Sequence, residues 1–444
     1  MTATDKAPAI TYFLSEGATG SFFDTDVLIT NPNEIDAPVT LTFSKENGEQ
    51  VVKTQTIPAK SRVTVHVDTI PGLEATSAST RVTSETGLPL IVERSMFWDQ
   101  SYYAGSTGSA VDRPAQDWLF AEGSQGFFQT FVLVINPNTT AADVTFTFFR
   151  ESDTPVTKTI TVPASTRLTL DCGSVPEIVN RSFGIAVHGT QPIMAERSMY
   201  FGTTDKRLWS GGTESAGVST TSTHWFMAEG ATGGFFTTFV LLSNPGVQDA
   251  HVTFQYLLDT GDTITVQKLV PAHARLTTNI GAEDDQRLRN AAVSTVVTSD
   301  QSIIAERSMY WLGAAQPWGE GHNSFGVVDA GLVWGLSEGR SGGQYNFHTY
   351  ILLANPQTTP ATVTVTFLRE HGAPVTKTFN VPATSRFNVD TATIDELKDE
   401  SFGALVEVTN NVPIIVERSM YWDSNGFTFS GGTNATGIKF PAPR

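Results

Sequence analysis

The feature that most constrains this chain is that it repeats itself four times. The string Glu-Arg-Ser-Met starts at Glu93, Glu196, Glu306 and Glu417, with spacings of 103, 110 and 111 residues. An Asn-Pro pair begins at Asn31, Asn136, Asn244 and Asn355, and a Glu-Gly pair at Glu16, Glu122, Glu229 and Glu338. A Pro-Ala pair is followed by an arginine at Pro58/Arg62, Pro163/Arg167, Pro271/Arg275 and Pro382/Arg386. Four signatures in one order, four times over, define an array of like units. The units run 1–115, 116–222, 223–331 and 332–444.

Each unit reads as β. In the first, Val39 to Phe43 alternates with period 2, as a strand with one buried face does. Asn47-Gly48 is a hairpin turn, and Val51 to Ile57 returns. Asn31-Pro32 ends a strand, because proline lacks the donor a ladder needs. Arg62 to Val67, Thr76 to Thr83 and Leu88 to Trp98 supply further strands. About seven short strands in ~100 residues is the pattern of an antiparallel, immunoglobulin-like sandwich. The expected fold class is therefore all-β: four tandem sandwiches, in a linear array or a closed pseudo-fourfold ring. Helix is expected only at Ala282–Asn290 and Thr393–Glu400. About 20 residues rich in Gly, Ser, Thr and aromatics follow each Glu-Arg-Ser-Met. The last copy precedes nothing, so the segment is expected to pack on its own unit or to close the last unit onto the first.

Each unit repeats two glutamates and two arginines: Glu16, Arg62, Glu93 and Arg94; Glu122, Arg167, Glu196 and Arg197; Glu229, Arg275, Glu306 and Arg307; Glu338, Arg386, Glu417 and Arg418. Balanced charge at fixed positions suggests ion pairs within a unit that fix strand register. Paired carboxylates also serve glycoside hydrolysis, but an enzyme needs one such site, not four. Aromatics recur too. Trp118, Trp225 and Trp334 (Tyr12 in the first unit) precede the Glu-Gly pair, and Trp98, Trp311 and Trp422 (Phe201 in the second) follow Glu-Arg-Ser-Met. These rings are candidates for stacking on sugars, against inter-sheet or inter-unit packing. The repeat breaks at Glu320 and His322, where other copies have Gly, Ser and Thr. A His near a carboxylate is a candidate acid/base pair.

The chain carries 28 basic and 45 acidic residues among 444, a net charge of −17, and its pI is about 4.8. Nucleic acid and anionic membrane would repel it. No apolar run approaches the ~18 residues of a membrane span. The single cysteine, Cys172, excludes an internal disulfide and a cysteine-built metal site. No motif for a nucleotide, a metal or another cofactor occurs, so none is expected. The first ten residues hold no apolar leader.

Phe226 to Pro245, Ile303 to Trp311 and Gly319 to Val327 together resemble a repeat module found in exported, often multidomain, bacterial proteins of actinobacteria and related lineages. That family is a domain of unknown function, and the resemblance covers all four units. It implies an extracellular or cell-surface location, and assigns no catalytic residue. The expected function is structural or adhesive, with weak multivalent binding of a glycan or surface protein. A lectin-like protein is the first alternative, and a glycan-acting hydrolase or lyase with one site is the second. Oligomeric state is left open.

Overall fold

The computed structural model describes residues 8–99, 101–151, 153–203, 208–311 and 318–440. The readings that touch the two termini, residues 1–7 and 441–444, lie outside it. The first unit contains eight strands: β1 (Ile10–Leu14), β2 (Phe23–Asn31), β3 (Ala37–Lys45), β4 (Gln50–Ile57), β5 (Ser61–His66), β6 (Ala78–Ser84), β7 (Ile91–Trp98) and β8 (Gly105–Ser109). They form two antiparallel sheets, ordered β1-β6-β3-β4 and β5-β2-β7-β8. The other units repeat the scheme. In the second and third, the counterparts of β6 and β7 fuse into single strands, Phe183–Phe201 and Val293–Trp311, which pass from one sheet to the other.

The sequence explains these elements locally. In β3, Val39, Leu41 and Phe43 are buried between the sheets while the residues between them face outward. The Asn of each Asn-Pro pair ties three segments together. Asn31 Nδ2 donates to the Ile35 and Ile57 carbonyls, and its Oδ1 accepts from the Asn33 amide. Asn136, Asn244 and Asn355 do the same. The expected helices are not formed. Short 3₁₀ turns stand there instead, at Ile280–Ala282, Gln286–Arg289, Thr391–Thr393 and Asp395–Leu397. Each such segment only bridges two strands and buries one side chain, such as Leu288 or Leu397, too little for a helix that needs a packed face. Among the described residues there is no α-helix.

Four cores fill the four sandwiches. The sheet containing β7 is buried on both faces, so all eight residues of Ile91–Trp98 are buried. One face meets the unit's own core through Val92 and, beyond it, the next unit through Arg94 and Trp98. The other meets a neighbour: Leu241 and Ile304 of the third unit pack on Ala121 of the second, and Leu352 and Ile415 of the fourth on Ala228 of the third. Between the fourth and first units, Ile91 packs with Leu405 and Phe440. The array therefore closes into a ring, the second of the two arrangements left open by the sequence.

The Gly-rich segments are its axis. The expected seven strands become eight because each segment pairs with its own β7 counterpart: β8, Gly211–Ala216, Glu320–Phe325 and Phe427–Thr436. Each of these strands also touches the next, the last returning to the first. Glycine is needed there for close approach. A Cβ on Gly212 would stand 2.9 Å from the Trp98 ring of the preceding unit, and one on Gly432 would stand 2.7 Å from Trp311.

Candidate functional site

The repeated charges lie where the units meet. The expectation of ion pairs within a unit is largely corrected here: the pairs cross from one unit to the next, except that Arg197 lies 3.8 Å from Glu122 of its own unit. Both faces of the β7 sheet are covered, so Glu93, Arg94 and their counterparts are nearly fully buried and must find partners. A unit's own β7 points its Glu toward one neighbour and its Arg toward the other. Arg94 and Arg197 donate to the Glu16 and Glu122 carbonyls of their own units, but their nearest repeated carboxylates, Glu196 and Glu306, lie across the boundary.

At the junction of units one and two, Glu196 accepts the Ser15 and Glu16 amides and is paired with Arg94 at 2.9 Å. Arg94 also donates to the Glu16 carbonyl, and Glu16 accepts from Ser198 at 2.6 Å and from Arg167 at 3.5 Å. At the next junction, Glu306 accepts the Ala121 amide and pairs with Arg197 at 2.6 Å. Glu122 accepts from Ser308, Tyr310 and Asn323. Arg275 departs from the pattern: it donates to the Ala121 carbonyl and pairs with Glu151 at 3.3 Å. At the third, Glu417 accepts the Ala228 amide and pairs with Arg307 at 3.0 Å, while Glu229 pairs with Arg386 at 3.0 Å and accepts from Ser419.

The fourth junction joins the last unit to the first in the same way. Glu93 accepts the Ser337 and Glu338 amides and lies 3.5 Å from Arg418, and Glu338 accepts from Ser95 and lies 3.7 Å from Arg62. Burial raises the Glu93 and Glu306 carboxyls despite their arginines. Burial also opposes ionisation of Glu229, but Arg386 and Arg307 outweigh it and hold this carboxyl at about 2.

The tryptophans are packing residues. Trp98, Trp118, Trp225, Trp311, Trp334 and Trp422 are all buried to 2% exposure or less, so none offers a face to a sugar. Trp118, Trp225 and Trp334 each donate from the indole to a main-chain carbonyl inside their own sandwich, at Ile193, Ile303 and Ile414. The second set closes the ring at one end of the axis. Trp98 meets Tyr200, Phe201 meets Tyr310, Trp311 meets Tyr421 and Trp422 meets Phe97, at centroid distances of 5.4–5.8 Å. Outside it lies a second ring of contacts: Phe22 on Trp209, Phe127 on Trp318, Phe235 on Phe429 and Tyr345 on Tyr102. Phe127 and Phe235 keep 49% and 38% of their surface exposed.

Glu320 and His322 are not an acid/base pair. Both are buried on the axis, and their bonds go elsewhere. Glu320 accepts amides from Gly105, Gly212 and Gly321, which belong to three different units. Burial pushes the carboxyl well up, against the three amides that favour its charged form. His322 sits between Arg307 and the Tyr421 hydroxyl, and burial with Arg307 keeps it uncharged. Cys172 is likewise buried in a core, where burial raises its thiol.

Two departures from fourfold symmetry were not singled out in the sequence. Glu214 stands where the other units have Thr107, Asn323 and Asn434. It enters the first junction, in space left by Gly108, whose Cβ would overlap its carboxylate. Arg94 Nη2 is 2.5 Å from Glu214 Oε2, so two buried carboxylates, Glu196 and Glu214, share this one guanidinium. Burial and the neighbouring Glu196 raise this carboxyl to about 8, against the pull of Arg94.

The second departure is confined to the last junction. Asp26, 1% exposed, accepts His66 Nδ1 at 2.6 Å through one oxygen and Arg340 at 3.0 Å through the other. Arg340 also pairs with Glu338 at 3.1 Å and lies over the Phe97 and Phe347 rings. The counterparts of Asp26 are Phe131, Phe239 and Tyr350; those of His66 are Asp171, Asn279 and Asp390. A comparison of the four copies at these two positions would have found them.

Among the described residues no group of three or more His, Cys, Asp or Glu is placed to hold a metal ion, and no helix is long and apolar enough to cross a membrane. No family model and no curated protein sequence matches the chain. Among solved structures it is similar to Thermotoga maritima 1070, with 16% identity over 24% of this chain and 94% of that one and a TM-score of 0.22. It is similar to the Anabaena sensory rhodopsin transducer, with 22% identity over 19% of this chain and 95% of that one and a TM-score of 0.17. It is also similar to a tetra-tandem repeat in the extending region of a large adhesion protein. That likeness has 15% identity over 92% of both chains and a TM-score of 0.12. Likenesses at this level say nothing of activity.

Proposed function

We propose that this chain is a rigid, multivalent binding platform of exported bacterial type, with a structural or adhesive role and no catalytic one. The observation that supports it is the use made of the repeated chemistry. The glutamates and arginines are consumed in joining units, and Glu320 and His322 are sealed on the axis. What the ring leaves outside is four similar sets of loops in fixed geometry. At one end these include Phe22, Phe127, Phe235 and Tyr345, one aromatic per unit. Four weak contacts held in one frame bind a repetitive surface far more tightly than one contact does. The partner is a polymer or surface with repeated units, a cell-surface glycan or protein.

The test is a density series. Immobilised glycans and surface proteins are presented sparsely and densely to the purified chain. Retention should rise steeply with ligand density and fall at least tenfold in the Phe127→Ser/Phe235→Ser variant. A folded chain that binds none of the surfaces, or binds with no dependence on density, refutes the platform reading. Turnover of a bound glycan would favour the enzyme reading instead.

A further inference from the structure

Three of the four junctions are enforced by the chain, because consecutive units are tethered. The fourth, between the last unit and the first, is held by contacts alone. It is also a junction at which the repeat is broken on both sides at once by residues of opposite charge. The last unit contributes Arg340, where the others have Ala18, Ser124 and Ala231. The first contributes Asp26, where the others have Phe131, Phe239 and Tyr350. The two residues are 314 positions apart in sequence and meet at 3.0 Å.

The shared part of a junction cannot tell one unit from another, since every unit carries the same Glu, Ser and Arg. Placed on the second or third unit, Arg340 would face a phenylalanine. Met by any unit but the last, Asp26 would be a buried carboxylate without its guanidinium, a costly state. A matched pair with mismatches penalised elsewhere is how like surfaces acquire specificity.

We propose that this seam is a selective head-to-tail coupling, chosen by Arg340 and Asp26, and that it joins the last unit to the first of a second copy of this chain as well as within one copy. The two faces are different surfaces, so the contact is heterologous; its angle closes a ring at four units, so exchange of the first unit between two copies gives two four-unit rings that share their chains. Within one chain the tether supplies an effective concentration on the order of millimolar. The single ring therefore prevails in dilute solution, and exchange is captured only when chains fold close together.

The test is to refold the chain from denaturant at about 1 µM and at several hundred µM, with cysteines at Ser101 and Ser424. These two meet across the seam, where Ser424 Oγ donates to the Ser101 carbonyl at 2.6 Å. After oxidation the dilute sample should give cross-linked single chains. The concentrated sample should add a covalent species of twice the mass. Single chains at every concentration would overturn the coupling to a second copy. So would a two-chain species whose disulfides close within each chain. The Asp26→Phe/Arg340→Ala variant gives the seam the residues of the other junctions. It should lower the between-chain disulfide at least fivefold, in favour of ragged larger species. An unchanged distribution would overturn the role of the pair as selector. Should the double variant not fold, Asp26→Asn preserves the shape and carries the same test.

Discussion

Replacing Glu214 by glutamine should stabilise the ring, and the gain should grow with pH. The first junction holds three carboxyls, Glu16, Glu196 and Glu214, against two guanidiniums, Arg94 and Arg167. Burial, with Glu196 beside it, lifts the Glu214 carboxyl from 4.5 to about 8. A folded-state value above the unfolded one means that the folded protein holds the proton more tightly. The carboxyl is then harmless below pH 4.5. Its cost to folding grows between 4.5 and 8 and is constant above. At ~1.36 kcal/mol for each tenfold change in proton affinity, the ceiling is about 5 kcal/mol above pH 8 and about 3 kcal/mol at pH 7. Glutamine has nearly the same shape and no charge, so it removes this cost. The assay is urea unfolding of both proteins at pH 5, 7 and 9. Every other titrating group is common to the two chains, so the difference reports position 214 together with Glu196, which titrates against it. The stabilities should nearly coincide at pH 5 and separate by several kcal/mol at pH 9. Parallel curves across the range would refute the reasoning, and would mean that Arg94 compensates Glu214 in full.

Glu306→Ala should be strongly destabilising, by about 3–5 kcal/mol, because it leaves the buried Arg197 without its closest carboxylate; thermal unfolding checks this, and a loss under about 1 kcal/mol would contradict it. Solution scattering should give a radius of gyration near the ~22 Å of a compact chain of this length, where a rod of ~150 Å would exceed about 40 Å. His66 should titrate above an ordinary histidine, because Asp26 accepts its Nδ1–H and favours the charged ring. Its stabilising share is full below the ordinary value and is lost as pH rises through the raised one. NMR of the imidazole in Asp26→Asn should show the value fall back.

The strands and the fourfold plan are legible because they are written in local patterns: alternation in Val39 to Phe43, an Asn-Pro stop, an Asn-Gly hairpin. The positions of the conspicuous residues are legible too, but not their partners. Glu93 and Arg94 are neighbours in sequence and face opposite neighbours in space, because adjacent strand residues point to opposite faces. Nothing in one unit's sequence says that both faces are buried. Taken alone, a Trp four residues before Glu-Gly suits a sugar platform as well as a core. Only burial on all sides separates the two. Glu320 and His322 stand out as departures from the repeat, and the same test applied at Asp26, Glu214 and Arg340 finds the departures that meet charged groups of the neighbouring unit, with His66 behind Asp26 in its own unit. These are easily missed because each sits in an ordinary strand or loop, where a single charge looks like a solvated surface residue.

Closure rather than extension follows from what an open array would expose. Every unit presents one face that accepts and one that donates, and in a row of four the first and last would each keep one unused. The unused faces would carry Ile91, Leu405, Phe97 and Trp422, all buried in the ring. Burying them is favourable at roughly 25 cal/mol per Å² of apolar surface, and the tether removes most of the entropy that association of separate molecules would lose. The charged groups do not drive this step, since a buried pair gains little over the same groups in water. Their contribution is alignment: Glu93 reaches the Ser337 and Glu338 amides and Arg418 together only when the fourth unit sits in one register against the first. Apolar contact favours closure, then, and the buried ion pairs set the register in which the ring closes.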